Sequence, residues 1–226
     1  MTRQEFLKAF PALVRNYRPT AEATDRIKNV TLVMVIGPSG VGKSSVIDAF
    51  GITFVPSDTS REPRPGEKEG QDFFFLNDYG QITQDIKAGK FLQTAVGSGG
   101  DFYATRTSSY PKNGFAAMPV MSDVVHILRN LGFQKTISAF IVPPTYNEWA
   151  RRLKTRPITD EQLTKRLAEA KRSLHFALND DQVHFILNDD LVAAVAQLKN
   201  LLAGSRDTGR EAKAKNSAKN ILARLN

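Results

Sequence analysis

The chain has 226 residues, 41% of them hydrophobic, enough for one main core with appendages but not for two large independent domains. Absence of cysteine excludes a disulfide framework and a thiolate metal site, and with no secretory leader or long apolar run a cytoplasmic protein without a transmembrane segment is expected. The formal charge of +8 is unevenly placed: residues 1–28 carry +3 and 203–226 carry +4, whereas 29–202 hold 19 basic against 18 acidic groups, so charge alone does not mark the central part as a nucleic-acid binder.

In chain order, residues 1–28 place Phe6, Phe10, Leu13, Val14 and Tyr17 at helical spacing. Pro11 should divide this stretch into two short helices or a kink, packed on the domain or on a partner subunit. Thr31–Ile36 is a short apolar run rich in β-branched residues and suits a buried parallel strand. A helical run, Ser44–Phe50, follows a glycine-rich turn, and Ile52–Val55 is a second strand candidate. Residues 57–71 hold two prolines, two glycines, four acidic and three basic residues, and read as an exposed loop. Helical spacing recurs in Asp123–Leu131, Tyr146–Thr155, Glu161–Ala177 and Leu191–Leu202, with strands expected at Lys135–Val142 and His184–Leu187. Thr145 with Glu148, and Thr159 with Gln162, match the capping box that satisfies the first N–H groups of a helix. Alternating strands and helices imply an α/β fold. From Arg210 a basic helix carries Ala214, Ala218, Ile221, Leu222 and Leu225 on one face, a surface suited to RNA, an anionic membrane or a neighbour, unless it is simply solvated. His126, His175, His184 and Trp149 read as structural.

The strongest chemical signal is Gly37-Pro38-Ser39-Gly40-Val41-Gly42-Lys43-Ser44, which fits the P-loop pattern and stands between a strand and a helix. Backbone N–H groups of such a turn converge on phosphate oxygens, and glycine permits the positive φ and the close approach. Lys43 is then expected to bridge the β- and γ-phosphates of ATP, and Ser44 to ligand Mg²⁺, with Ser45 beside it. The motif alone implies nucleoside-triphosphate binding and does not separate a kinase from a GTPase or an ATPase.

The wording GPSGVGKSS, together with Ser57-Asp58-Thr59-Ser60-Arg61-Glu62-Pro63-Arg64-Pro65-Gly66-Glu67, resembles the guanylate kinase family. The resemblance continues through Tyr103-Ala104-Thr105, Phe140-Ile141-Val142-Pro143-Pro144, Arg152-Leu153-Lys154-Thr155-Arg156, Lys165-Arg166-Leu167 and Asn188-Asp189-Asp190-Leu191, so that it spans 33–202. It implies a P-loop kinase core with a parallel sheet flanked by helices, a small nucleoside-monophosphate-binding subdomain at about 57–110 and a helical lid at about 145–172. The domain itself would occupy 29–202, between a helical extension at 1–28 and a basic tail at 203–226. By this resemblance the chain moves the γ-phosphoryl group of ATP, with Mg²⁺, onto GMP or dGMP; the partners expected are small-molecule nucleotides and further copies of the chain in a homo-oligomer.

The resemblance also implies roles. Arg61 and Arg64 would grip the acceptor's phosphate through their planar forks, with hydroxyl hydrogen bonds from Ser57 and Tyr103. Arg156 and Arg166 would approach the transferring group from the lid, and Arg152 and Asn188 would lie near adenine. Glu67, Phe73, Gln93, Thr105 and Ser122 fall at positions around the acceptor nucleotide. Taken singly, each arginine reads as a solvated surface charge and Tyr103 as a half-buried aromatic.

Several positions depart from the family pattern. Phe73 replaces a tyrosine, and Gln93 replaces the glutamate that accepts hydrogen bonds from guanine. The family strand L-D-x-D becomes Met118-Pro119-Val120-Met121-Ser122-Asp123, placing Val120 and Ser122 at the aspartates unless the register slides to Asp123. Guanylate kinase-like domains of membrane scaffolds share the serine, which leaves a catalytically degenerate protein-binding module as the alternative. Such modules usually lose the P-loop lysine and serine that this chain retains.

Overall fold

In the computed structural model, which describes residues 1–97, 99–154 and 159–226, the chain begins with α1 (Arg3–Val14), α2 (Ala21–Ile27), β1 (Val30–Ile36), α3 (Lys43–Phe50), β2 (Thr53–Phe54), β3 (Ser57–Thr59), β4 (Phe73–Phe75) and α4 (Tyr79–Lys87). It continues with β5 (Phe91–Val96), β6 (Phe102–Arg106), β7 (Gly114–Val120), α5 (Val125–Arg129), β8 (Lys135–Val142), α6 (Tyr146–Leu153), α7 (Asp160–Leu178), β9 (Val183–Leu187), α8 (Leu191–Leu202) and α9 (Thr208–Ala223). Contacts divide it into two compact units, residues 1–31, 55–116 and 126–135 in one and 32–54, 117–125 and 136–226 in the other.

The first unit is built on a mixed four-stranded sheet in the order β4-β3-β6-β5, with β3 parallel to β4 and antiparallel to β6. One of its faces closes on a core of Phe6, Ile82, Ile86, Phe91, Phe102 and Ala104, against which Leu7, Phe10, Leu13, Tyr17 and Tyr79 pack. The apolar side of α1, with Tyr17, is therefore part of this core. Pro11 does not break α1, contrary to the sequence expectation: the proline is exposed, only three more helical residues follow it, and Phe6 and Phe10 hold the helix by packing. Thr2 and Glu5 complete a capping box at its start. The supposed loop 57–71 also needs correction, because Ser57, Asp58 and Thr59 form a buried strand. Asp58 is tolerated there because Arg106 forms an ion pair with it while stacking 4.5 Å from the Phe74 ring.

The second unit contains the five-stranded parallel sheet, order β2-β7-β1-β8-β9, apart from the first residues of β1, β7 and β8. β1 is buried along its whole length, as its continuous apolar sequence requires of a central strand. The expected helix over 123–131 is shorter, a 3-10 turn at Ser122–Val124 leading into α5. Thr159 and Gln162 form the complete capping box at α7, whereas at α6 only Thr145 caps. Glu148 is drawn away by Arg151 and Arg152, whose hydrogen bonds hold its carboxyl down at about 2. The basic helix α9 lays Ala214, Ala218 and Ile221, each no more than 2% exposed, onto its own unit, and Ser217 Oγ donates to the carbonyls of Pro143 and Pro144 (2.7 and 2.9 Å). Its apolar face is thus already covered. Among the described residues no helix is long and apolar enough to cross a membrane.

Candidate active site

The strand-to-helix turn after β1 depends on glycine at three places. Gly37, Gly40 and Gly42 have φ of 141°, 82° and 97°, and a Cβ on Gly42 would stand 2.4 Å from Asn188 Nδ2. Pro38 is buried, Ser39 half-buried and Val41 fully buried, so the loop is seated in the unit. Lys43 Nζ donates to the carbonyls of Gly37 (2.5 Å) and Pro38 (2.9 Å). Gly42 stands at the N-cap of α3 and has no side chain to bond the first-turn N–H groups, and the Ser44 and Ser45 side chains are exposed there.

The loop is braced from behind. Trp149 Nε1 donates to Ser39 O (2.9 Å), Leu153 packs against Gly40, and Asn188 Nδ2 donates to Val41 O (2.8 Å). Arg152, tied to Glu148 at 2.8 Å, reaches Val41 O (3.4 Å) and Asn188 O (3.0 Å). Sequence reasoning named Arg152 and Asn188 but read Trp149 only as core. Its indole N–H has a loop carbonyl as partner 110 residues away, which no local pattern signals. Arg166 is half-buried on α7, and Arg156 lies outside the described residues.

In the other unit, strand register assembles the expected acceptor residues. Ser57 pairs with Phe73, Thr59 with Tyr103, and Tyr103 and Thr105 with Ala95 and Gln93. Since directly paired residues share a face and successive residues alternate, Ser57, Phe73, Gln93, Tyr103 and Thr105 all lie on one face of the small sheet. Thr105 Oγ1 and the Tyr110 hydroxyl are 3.0 Å apart, and burial pushes the Tyr110 phenol well up despite that bond. Gln93 is 5% exposed, and its Oε1 has no hydrogen-bond partner among the described residues.

Arg61 stands over the rings of Phe73 (4.9 Å) and Phe75 (5.9 Å), and its fork meets Glu67 in two bonds of 2.8 and 2.9 Å. Glu67 also accepts from Arg64 N–H at 2.7 Å, so it holds the Arg61 side chain and the Arg64 backbone together. Burial opposes ionisation of Glu67, but Arg61, the Arg64 amide and both guanidinium charges outweigh it and hold the carboxyl below its ordinary value. The Arg64 side chain is exposed. Ser122 belongs to the other unit, where its Oγ bonds Asp123 Oδ1 (3.3 Å) beyond the buried Val120 that ends β7.

The model of the family described as guanylate kinase matches residues 29–205. A guanylate kinase of Corynebacterium diphtheriae is 33% identical over 193 residues, covering 77% of this chain and 95% of that protein. The chain belongs to the guanylate kinase family. A guanylate kinase of Bacteroides fragilis is 35% identical over 178 residues, covering 73% of this chain and 86% of its own length. The crystal structure of guanylate kinase from Anaplasma phagocytophilum shares the fold, with a TM-score of 0.56 at 22% identity over 81% of this chain and 90% of that one. The guanylate kinase match starts and stops near the edges of the sequence resemblance at 33–202, and leaves α1, α2 and α9 outside it.

Proposed function

We propose that this member of the family is an active nucleoside-monophosphate kinase that uses ATP and Mg²⁺ to convert GMP or dGMP to the diphosphate. The observation that carries the reading is the complete P-loop, with Lys43 and Ser44 in place and its carbonyls held by Trp149, Arg152 and Asn188. The loop suits a polyphosphate: glycines stand where side chains would collide, and the N-cap of α3 is a glycine with no side chain to compete for the first N–H groups. Lys43 would neutralise charge on the β- and γ-phosphates, and the Ser44 hydroxyl would hold Mg²⁺, which supplies further charge neutralisation when bound.

Arg61 and Arg64 would bind the acceptor's phosphate with Ser57 and Tyr103, Glu67 fixing the arginines. Phe73, Gln93, Thr105 and Ser122 would border the base and sugar, and Arg156 and Arg166 would act on charge that develops during transfer. The division into an acceptor-binding region at 57–110 and a lid at 145–172, and a cytoplasmic setting, belong to this proposal. Catalysis in such a site is mostly positioning and electrostatics, which suits paired arginines on a braced sheet.

One observation favours a second reading, a catalytically silent protein-binding module: β7 ends on buried Val120, and Asp123 is the first carboxylate after it. The two readings separate at Lys43→Ala. For a kinase, the purified variant keeps its melting temperature and loses phosphoryl transfer. Wild-type turnover in that variant overturns the P-loop assignment.

A further inference from the structure

The face of the small sheet opposite Gln93, Tyr103 and Thr105 is held by residues 1–28 at three points along the β5–β6 hairpin. At its root the Tyr17 hydroxyl donates to Phe91 O and accepts from Phe91 N–H (3.1 Å). This is where pairing with β6 is irregular, the register shifting between Phe91 and Gln93, so one phenol satisfies both backbone groups of the residue beside the irregularity. At the start of β6, Phe6, fully buried, packs edge-on against Phe102 at 5.7 Å. Near the turn, Arg3 donates to the carbonyls of Gly99 (2.6 Å) and Gly100 (3.3 Å) and pairs with Asp101 (3.0 Å).

Gln93 follows Phe91 by two residues, and its Oε1 lacks a partner among the described residues. Its amide is therefore placed by the backbone of β5 more than by side-chain bonds. A slip of one residue would carry it to the opposite face. We infer that α1 and the segment after it form a positioning clamp for this hairpin, with Tyr17 as the positioning residue for Gln93. That this hairpin meets the acceptor's base rests on the proposed function; that Tyr17 holds β5 does not. Burial raises the Tyr17 phenol above its ordinary range against the opposing Phe91 bond, so the hydroxyl stays protonated and able to donate at neutral pH.

The test is Tyr17→Phe, which keeps the ring and removes the hydroxyl. Amide hydrogen exchange in peptides covering 91–106 should quicken about five- to tenfold, the equivalent of one net buried hydrogen bond, while peptides covering 37–50 stay unchanged. By calorimetric titration GMP affinity should fall about three- to tenfold with Mg·ATP affinity unchanged, and in steady state KM for GMP should rise with kcat preserved. Unchanged exchange in 91–106, or equal weakening of GMP and ATP, overturns the inference. If wild-type protein binds no nucleoside monophosphate, the proposed function fails and the exchange result alone decides the clamp. Should Tyr17→Phe not fold, Arg3→Ala at the exposed end of the clamp should quicken exchange near 99–101, and the same protection there as in wild type overturns the inference.

Discussion

Gly42→Ala tests whether the P-loop is seated as described, and its cost can be built up from geometry. An alanine at φ 97° carries the strain of an L-residue in the left-handed region, about 1–2 kcal/mol. Its Cβ would also stand 2.4 Å from Asn188 Nδ2, so the amide must swing away and surrender its bond to Val41 O. A buried hydrogen bond is worth about 0.5–1.5 kcal/mol net, which brings the total to about 1.5–3.5 kcal/mol. Gly51→Ala is the control, since it has φ 75° with nothing within 4 Å of the new Cβ and should cost the strain alone. Urea unfolding of wild type, Gly42→Ala, Asn188→Ala and the double variant completes a cycle. Removing Asn188 first abolishes the collision, so the double variant should lose less than the sum of the single losses by about 1 kcal/mol. Strict additivity, or equal losses from Gly42→Ala and Gly51→Ala, would refute the reasoning.

Gln93→Glu should raise the ratio of GMP to AMP turnover, because a carboxylate accepts from guanine N1–H and N2–H₂ where the amide has one oxygen; a charge-assisted bond of about 1.5–3 kcal/mol corresponds to about ten- to two-hundredfold, and an unchanged ratio would sink the assignment. Arg64→Ala should raise the acceptor KM, whereas Arg166→Ala should lower kcat, by about 10³- to 10⁵-fold for an arginine finger; equal kinetic effects would reject that division. Glu67 has a lowered folded-state pKa, so its stabilising contribution is present above the ordinary value of 4.5 and is lost as pH falls through the folded value. Urea midpoints of wild type should accordingly decline below pH 4.5 more steeply than those of Glu67→Gln, and parallel curves would show that Glu67 contributes no such linkage.

What the sequence revealed follows physical range. The P-loop, the buried run of β1 and the cap at Thr159 were legible because their determinants lie within a few residues of one another. β3 was not, since Asp58 looks solvated until Arg106, 48 residues away, is brought beside it. The same holds for Trp149, whose partner is Ser39, and for Tyr17, whose partner is Phe91. Pro11 misled because the usual helix penalty was weighed without the aromatic packing that holds α1. Among the acceptor residues the family resemblance supplied candidates, and strand register then placed Ser57, Phe73, Gln93, Tyr103 and Thr105 on a common face. For Glu67, its bonds to the Arg61 fork and the Arg64 amide make it a support for the two arginines proposed to hold phosphate, a role that the motif alone does not convey.

The most direct test of the account is a coupled ADP-release assay with ATP, Mg²⁺ and each nucleoside monophosphate in turn, run on wild type and on Lys43→Ala. GMP or dGMP should give the highest rate in wild type, with measurable turnover of other purine monophosphates, and every rate should vanish in the variant. ADP release with no monophosphate above the rate with ATP alone would contradict the kinase reading.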